Sequence, residues 1–296
     1  MRKDKTLIVL TGPTASGKSA LALDIAERYG SDIISADSRQ IFKGIPIVTA
    51  VPTEAERRGI RHHLIEMLPL TSYYSAAEFE QDALRLIEEQ FRKSDHAVVC
   101  GGSMMYVDAL CNGIDNLPTV PEEFRNALKR EHAEAGDEWL LQRLKSLDPE
   151  YYDKVDRNNK RRVFHAVEIS LLTGQPYSGF LTGSRVERDF RIRKYYIDMP
   201  REDLFDRINR RVDMMVESGL EKEARRVYPQ RHLNSLNTVG LKEMFAYFDG
   251  LMGREEAIER IKKNTRVYAK KQLTWLKKDP DVIAITPNQP INNGRG

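Results

Sequence analysis

The stretch Thr11–Ser19, TGPTASGKS, places a lysine and a hydroxyl behind two glycines in the order G-x-x-x-x-G-K-S. That spacing suits phosphate. Gly12 and Gly17, with Pro13, Thr14, Ala15 and Ser16 between them, let backbone N–H groups converge on one concavity, and Lys18 adds a charge that reaches terminal oxygens. Ser19 offers a hydroxyl to a hydrated Mg²⁺, and the helix that follows presents its positive end. The flanks fit the motif: Thr6–Leu10, TLIVL, reads as a buried strand, and KSALALDIAERYG as an amphipathic helix closed by Gly30. An ordinary glycine turn would not require that order of strand, loop and helix. The loop alone leaves three ligands open: a nucleotide to be hydrolysed, a phosphoryl donor, or another diphosphate.

Asp37 ends the apolar segment DIISAD. In a βαβ unit the strand after the first helix returns to the edge where the phosphate loop lies, so Asp37 is delivered near Lys18 and Ser19. It could hold Mg²⁺ through water or act as a general base; the plainer alternative is a cap on the turn into SRQIF. Ser103, in GGSMMY, stands at the end of another strand on the same edge, with a helix cap as its alternative. In PREDLFDRINRRVDMM, Arg207 and Arg211 share one helix face. Asp203 with Arg207 and Asp206 with Arg210 have ion-pair spacing. Arg211 has no acid at 207 or 215, which makes it the candidate phosphate ligand.

The elements around these residues alternate strand and helix up to about residue 116, as a parallel, doubly wound sheet does. Ser75 and Glu78 have capping-box spacing before a helix ending at Phe91, and HAVVCGG is a strand. From residue 117 helical segments follow one another: Glu122–Ala135, Glu138–Leu147 and Lys160–Leu172, the last stopped by TGQP. RIRKYYIDMP is a strand again. The expectation is an α/β core at 1–116 and 190–296, interrupted by a helical insertion at 117–189, with PNQPINNGRG as a loose tail.

Bulk properties describe a soluble globular chain: 296 residues, 31% charged and 41% hydrophobic, with no apolar run near the ~18 residues of a membrane span. Cys100 and Cys111 have neither metal nor redox spacing, which points to buried thiols in a reducing compartment, the cytoplasm. His62 and His63 are adjacent, and neighbours on an extended chain point opposite ways, so they do not form a metal pair. Residues 1–120 carry 13 Lys and Arg against 16 Asp and Glu, whereas the remainder carries 34 against 28. The positive excess lies downstream, where a polyanion could be gripped. RNNKRRVFH (Arg157–His165) is one basic stretch. Arg260–Lys278 is the other, with eight Lys and Arg, no acid, and Tyr268 and Trp275 interleaved. On a helix, Lys263, Arg266, Lys270 and Lys277 share one stripe and Ile261, Tyr268 and Trp275 another. Such a run favours nucleic-acid phosphate over a merely solvated face.

Taken together, GPTASGKS, DSRQIFKG, RHHLIE, GGSMMY, Asp148-Pro149, RRVFHAVE, DRINRRVDMM with ESGLEKEA, VGLKE and TRVYAKKQLTW run almost the length of the chain. They resemble the bacterial tRNA dimethylallyltransferases, also called tRNA isopentenyltransferases. DSRQ and the C-terminal motif are the specific part, since the phosphate loop is shared widely. The resemblance implies a kinase-like P-loop α/β core and a helical insertion holding the anticodon arm. It also implies transfer of a dimethylallyl group from dimethylallyl diphosphate to the exocyclic amine of the adenine 3′ to a tRNA anticodon, with Mg²⁺. Thr14, Lys18, Ser19 and Arg211 would then bind the diphosphate, Asp37 would be the base, and Ser103 would line the reaction channel. The family's tRNA contacts map onto Asp37, Ser38, Arg39, Gln40, Ser103 and Arg125, and onto Arg161, Arg162, Val163, Phe164 and His165. Further along they fall on Asn237, Thr238, Val239, Gly240, Leu241 and Lys242, then on Lys270, Lys271, Gln272, Leu273, Thr274, Trp275, Leu276 and Lys277. The expected assembly is a monomer.

Four positions depart from the family pattern: Ser103 replaces Thr, His165 Arg, Leu241 Tyr, and Lys271 Arg. Ser keeps the hydroxyl; Lys keeps the charge without the bidentate fork. His165 and Leu241 bear on tRNA preference. Two rivals remain on sequence grounds: a small-molecule kinase using ATP at the same loop, and an NTP-gated RNA-binding protein without transferase chemistry.

Overall fold

The structure is a computed structural model that describes residues 4–115, 117–183 and 185–287; the sequence's proposed tail lies almost wholly outside them. The chain forms two compact units. One joins the chain up to Asn112 to the chain from Glu187 onward, and the other is Gly113–Val186.

The first unit opens with β1 (Thr6–Thr11), α1 (Lys18–Tyr29), β2 (Ile33–Ser35), α2 (Pro46–Thr49), β3 (His62–His63), α3 (Ala76–Phe91), β4 (His96–Cys100) and α4 (Met104–Asn112). The helical unit holds α5 (Glu122–Leu147), α6 (Pro149–Lys154) and α7 (Lys160–Thr173). The first unit then resumes with β5 (Arg191–Ile197), α8 (Arg201–Glu217), α9 (Leu220–Val227), α10 (Leu241–Phe248), α11 (Arg254–Leu276) and β6 (Val282–Ile285).

The strands make one parallel sheet in the order β3-β2-β4-β1-β5-β6. β1 is central and buried on both faces, which is why its residues read as a continuous apolar run. Leu7 and Val9 point to the side packed by α3 and α4, among Phe79, Ile87, Val107 and Leu110. Ile8 and Leu10 point to the side packed by α1, among Ala22, Ile25 and Ala26. The capping box forms at Ser75 and Glu78. β3 and β6 were not marked in the sequence. Two residues of β3 are too few for a pattern, although the opposed directions inferred for His62 and His63 are those of a strand.

In the helical unit, α5 runs through residues 122–147 with a break at Gly136, whose φ of 84° is outside the helical range. Its Leu128, Leu140 and Leu144 pack on Val163, Ala166 and Val167 of α7.

α11 buries Ala257, Ile261, Ala269, Gln272 and Leu276. Of the stripe Ile261, Tyr268 and Trp275, only Ile261 is buried. Seven-residue steps drift by about 20° per step on a straight helix, and Tyr268 ends up exposed. The run is also not wholly free of acids in three dimensions, because Lys262 pairs with Asp213 at 2.8 Å and with Glu259, and Arg260 with Glu256.

Candidate active site

The loop between β1 and α1 leaves the centre of the sheet at its carboxyl edge. Gly17 is the residue before α1 and has φ 97°, while Ala15 sits at φ 63°, an uncommon conformation for a side-chain-bearing residue. Lys18 Nζ donates to the loop's own Pro13 carbonyl at 3.1 Å. Burial lowers the Lys18 pKa and nearby Arg211 lowers it further, against Cys100 and Asp37, which raise it. Ser16 Oγ is buried without a hydrogen-bond partner among the described residues, a spare donor inside the loop. Arg211 is close enough to perturb Lys18; its own pKa is lowered by burial and partly restored by Asp37.

Arg207 stands one turn before Arg211 on α8. Its Nε donates to the Ala15 carbonyl at 2.7 Å, and its Nη2 lies 3.3 Å from where a Cβ on Gly17 would stand. The Asp203–Arg207 and Asp206–Arg210 ion pairs suggested by spacing do not form among the described residues. For Arg207, the loop carbonyl takes the place of the acid.

Asp37 follows β2. Its Oδ1 accepts from the backbone N–H of Arg39 at 2.9 Å and of Gln40 at 3.4 Å, so the carboxylate does cap its turn. Oδ2 accepts no hydrogen bond within the described chain. Asp37 lies within electrostatic reach of Lys18, Arg211, Arg39, Tyr106 and Tyr268. One oxygen shapes the loop and the other is available to a ligand.

The loop after β4 is zipped to the loop carrying Asp37. Ser103 N donates to the Ala36 carbonyl at 3.1 Å. Ser103 Oγ accepts from Ser38 N at 2.8 Å and donates to Ser38 Oγ at 3.1 Å. A Cβ on Gly101 would stand 2.2 Å from the backbone carbon and oxygen of Ala36, so only glycine permits this approach. Gly102 is held from its other side by Gln272 of α11, whose Nε2 donates to the Gly102 carbonyl at 2.7 Å while its buried Oε1 has no partner. Burial is the main cause that raises the Cys100 thiol to about 11, against the nearby charge of Lys18, which lowers it. At neutral pH the thiol stays protonated.

Arg39 and Gln40 turn inward. Arg39 Nη1 donates to the carbonyls of Asn234 and Ser235 at 2.8 and 3.2 Å, and Gln40 Nε2 to those of Thr49 and Ala50. Among the other candidates, Gly240, Leu241, Gln272 and Leu276 are buried, Leu241 fully so in a core with Met244 and Ile261. Asn237, Lys242, Lys270, Lys271, Thr274 and Lys277 are exposed; Thr238, Val239, Leu273 and Trp275 are half-buried.

Within the helical unit, Arg161 and Arg162 are exposed, Phe164 and His165 are half-buried, and Val163 is in the core. Arg125 reaches the buried Glu168 through two bonds, 2.7 and 3.1 Å, and His165 Nδ1 lies 3.3 Å from the same carboxylate. Burial would raise the Glu168 pKa, but the His165 and Arg125 hydrogen bonds hold it below the ordinary range. Glu168 was missed in the sequence, because a glutamate in the middle of a basic helix reads as solvated. Arg207 was read as ion-paired, though its position four residues before Arg211 was the available signal.

For a cation, the Ser19 hydroxyl and the Asp37 carboxylate are hard oxygen donors of the kind Mg²⁺ takes. Among the described residues no group of three or more His, Cys, Asp or Glu could hold a metal alone. The residues therefore fit an Mg²⁺ ion whose remaining ligands are diphosphate oxygens and water.

Comparison with known proteins places this geometry. The IPP transferase family model matches residues 40–279. The chain is 51% identical over 284 residues to tRNA dimethylallyltransferase 2 of Parabacteroides distasonis, covering 96% of this chain and 95% of that one. It is 50% identical over 284 residues to tRNA dimethylallyltransferase 1 of Phocaeicola vulgatus, with the same coverage. Among solved structures, the full-length tRNA isopentenylpyrophosphate transferase of Bacillus halodurans superposes with a TM-score of 0.69 at 36% identity, over 96% of this chain and 90% of that one. A eukaryotic dimethylallyltransferase acting on tRNA gives a TM-score of 0.81 at 27% identity, over 95% and 74%. With half its residues shared across nearly its whole length, the chain belongs to the IPP transferase family.

Proposed function

We propose that this enzyme transfers the dimethylallyl group of dimethylallyl diphosphate to the exocyclic amine of the adenine 3′ to the anticodon in tRNA, releasing diphosphate. The observation that carries this is the near-full-length similarity to tRNA dimethylallyltransferases, and the site suits the chemistry. In this reading Thr14, Lys18, Ser19 and Arg211, with the N–H groups of the loop, hold the donor's diphosphate. The adenine leaves its stack to reach them, and Ser103 lines its path. The allylic C1–O bond breaks, its electron pair goes to the bridging oxygen, and the amine nitrogen forms the new bond to C1. The amine's proton passes to Asp37 Oδ2. Charge that builds on the departing diphosphate is met by Lys18, Arg211 and the loop N–H groups. Mg²⁺, held by Ser19, would supply further neutralisation of that charge when bound.

The exposed cations of α11, with Arg161 and Arg162, suit the RNA backbone. We place the reaction in the cytoplasm and assign it to the monomer. No helix of the described residues is long and apolar enough to cross a membrane. The test is mass spectrometry of nucleosides from unmodified tRNA after incubation with the donor, Mg²⁺ and enzyme. A dimethylallyl adduct on the adenine amine is expected. With ATP in place of the donor, a phosphorylated small acceptor and unmodified RNA would instead establish a kinase.

A further inference from the structure

The ring of Phe205, on the first turn and a half of α8, gathers three cations. Arg201 lies 5.0 Å from its centroid, Lys270 5.4 Å and Arg266 5.9 Å. Phe205 packs against the small core of Leu204, Ile208 and Ala269, against which Ala15 of the phosphate loop and Leu273 also pack. None of the three cations has a carboxylate within ion-pair distance among the described residues. Arg266 donates to a neutral acceptor, Asn209 Oδ1, at 2.6 Å. The other end of the same helix is different, since Lys262 and Arg260 are neutralised by Asp213, Glu259 and Glu256.

Three like charges held around one ring repel each other. The ring's negative face offsets part of that, and an anion would offset the rest. Lys18 and Arg211 are within electrostatic reach of each other and half-buried, whereas Arg201 and Lys270 are exposed. Arg266 and Lys270 also continue along α11 into exposed Lys277. A polymeric anion lying along that stripe reaches the cluster; a small diphosphate inside the loop has its own ligands.

We infer that Arg201, Arg266 and Lys270, assembled on Phe205, form a binding site for one backbone phosphate of the RNA substrate. This rests on the transferase reading above, and it adds to α11 two partners from outside the family's tRNA-contact positions, Arg201 and Phe205.

The test compares wild type, Arg201→Ala and Arg201→Glu, whose exposed position at the start of α8 leaves the core intact, and the double variant Arg201→Ala/Arg266→Gln. For each, tRNA affinity is measured across a salt series, and dimethylallyl diphosphate affinity without tRNA. The expected result is a slope of log Kd against log salt shallower by about one per cation removed, a severalfold weaker tRNA complex with Arg201→Glu the weakest, and unchanged donor affinity. Phe205→Leu, which keeps the charges but releases them, should weaken tRNA without changing the slope's sign. Unchanged tRNA affinity and slope in well-folded variants would overturn the site. Weakened donor binding with tRNA binding intact would also overturn it, by assigning the cluster to the diphosphate. Wild-type enzyme that binds no tRNA would overturn the transferase reading along with it.

Discussion

Asp37 Oδ1 caps its turn while Oδ2 accepts no hydrogen bond within the described chain, so its structural role and the proposed catalytic one are separable. Asparagine keeps an oxygen to cap Arg39 and Gln40 but cannot take a proton. Asp37→Asn should therefore lower kcat by at least about a hundredfold, the usual scale of a lost general base, with tRNA affinity unchanged. Loss of tRNA binding with kcat preserved would make Asp37 a structural residue. Arg207 tests a different contact. Its Nε bond to the Ala15 carbonyl holds a residue in left-handed conformation, and a hydrogen bond from a charged group contributes about 1.5–3 kcal/mol. Arg207→Ala should raise KM for the donor about tenfold or more, and Arg207→Lys should recover little, since the loop carbonyl needs the guanidinium's reach. An unchanged donor KM would mean the contact is incidental. The sequence made Asp37 legible through the βαβ return. It hid Arg207's partner, because ion-pair spacing on one helix is local and Ala15 is 192 residues away.

At the scale of elements, the helices that position residues were legible where periodicity and caps agreed, as in α3, whose capping box is present. Short strands were not: β3 is a two-residue pairing to β2, set by tertiary contacts rather than by pattern. The α5–α7 pair depends on a charge that no pattern flagged. Glu168 is buried, and Arg125 and His165 keep its carboxyl ionised below the usual range. A depressed folded pKa means that its stabilising contribution is complete above the ordinary glutamate value of about 4.3. That contribution is lost as pH falls through the lower folded value. Glu168→Gln removes the charge that His165 and Arg125 both hold and should cost about 1.5–3 kcal/mol, with the acid-side loss of stability removed. Urea melts of both proteins from pH 7 down to pH 3 check this; matching curves would show that the network contributes nothing. In the same network His165 lies against Glu168, with Nδ1 3.3 Å from its carboxylate. Leu241 is fully buried, so its side chain serves packing.

For the whole molecule, strand-helix alternation made the parallel sheet legible, and the buried central strand made β1 the start of the site. The position of β6 at the sheet edge and the burial of Gln272 between α11 and Gly102 came only from the structure, because both depend on segments far apart in sequence. The fold delivers one arrangement to one edge of the sheet: a glycine-lined loop with Lys18, a carboxylate with an oxygen that accepts no hydrogen bond within the described chain, and a cationic helix. In the proposed reaction the loop releases diphosphate intact while the carbon skeleton goes to RNA. Dimethylallyl diphosphate labelled with ¹⁴C at C1 and ³²P in both phosphates tests this in one incubation with Mg²⁺ and unmodified tRNA. All transferred ¹⁴C is expected in tRNA, with ³²P recovered as free diphosphate in equal amount. Appearance of ³²P in RNA or on a small acceptor, or diphosphate release with no ¹⁴C in tRNA, would contradict it.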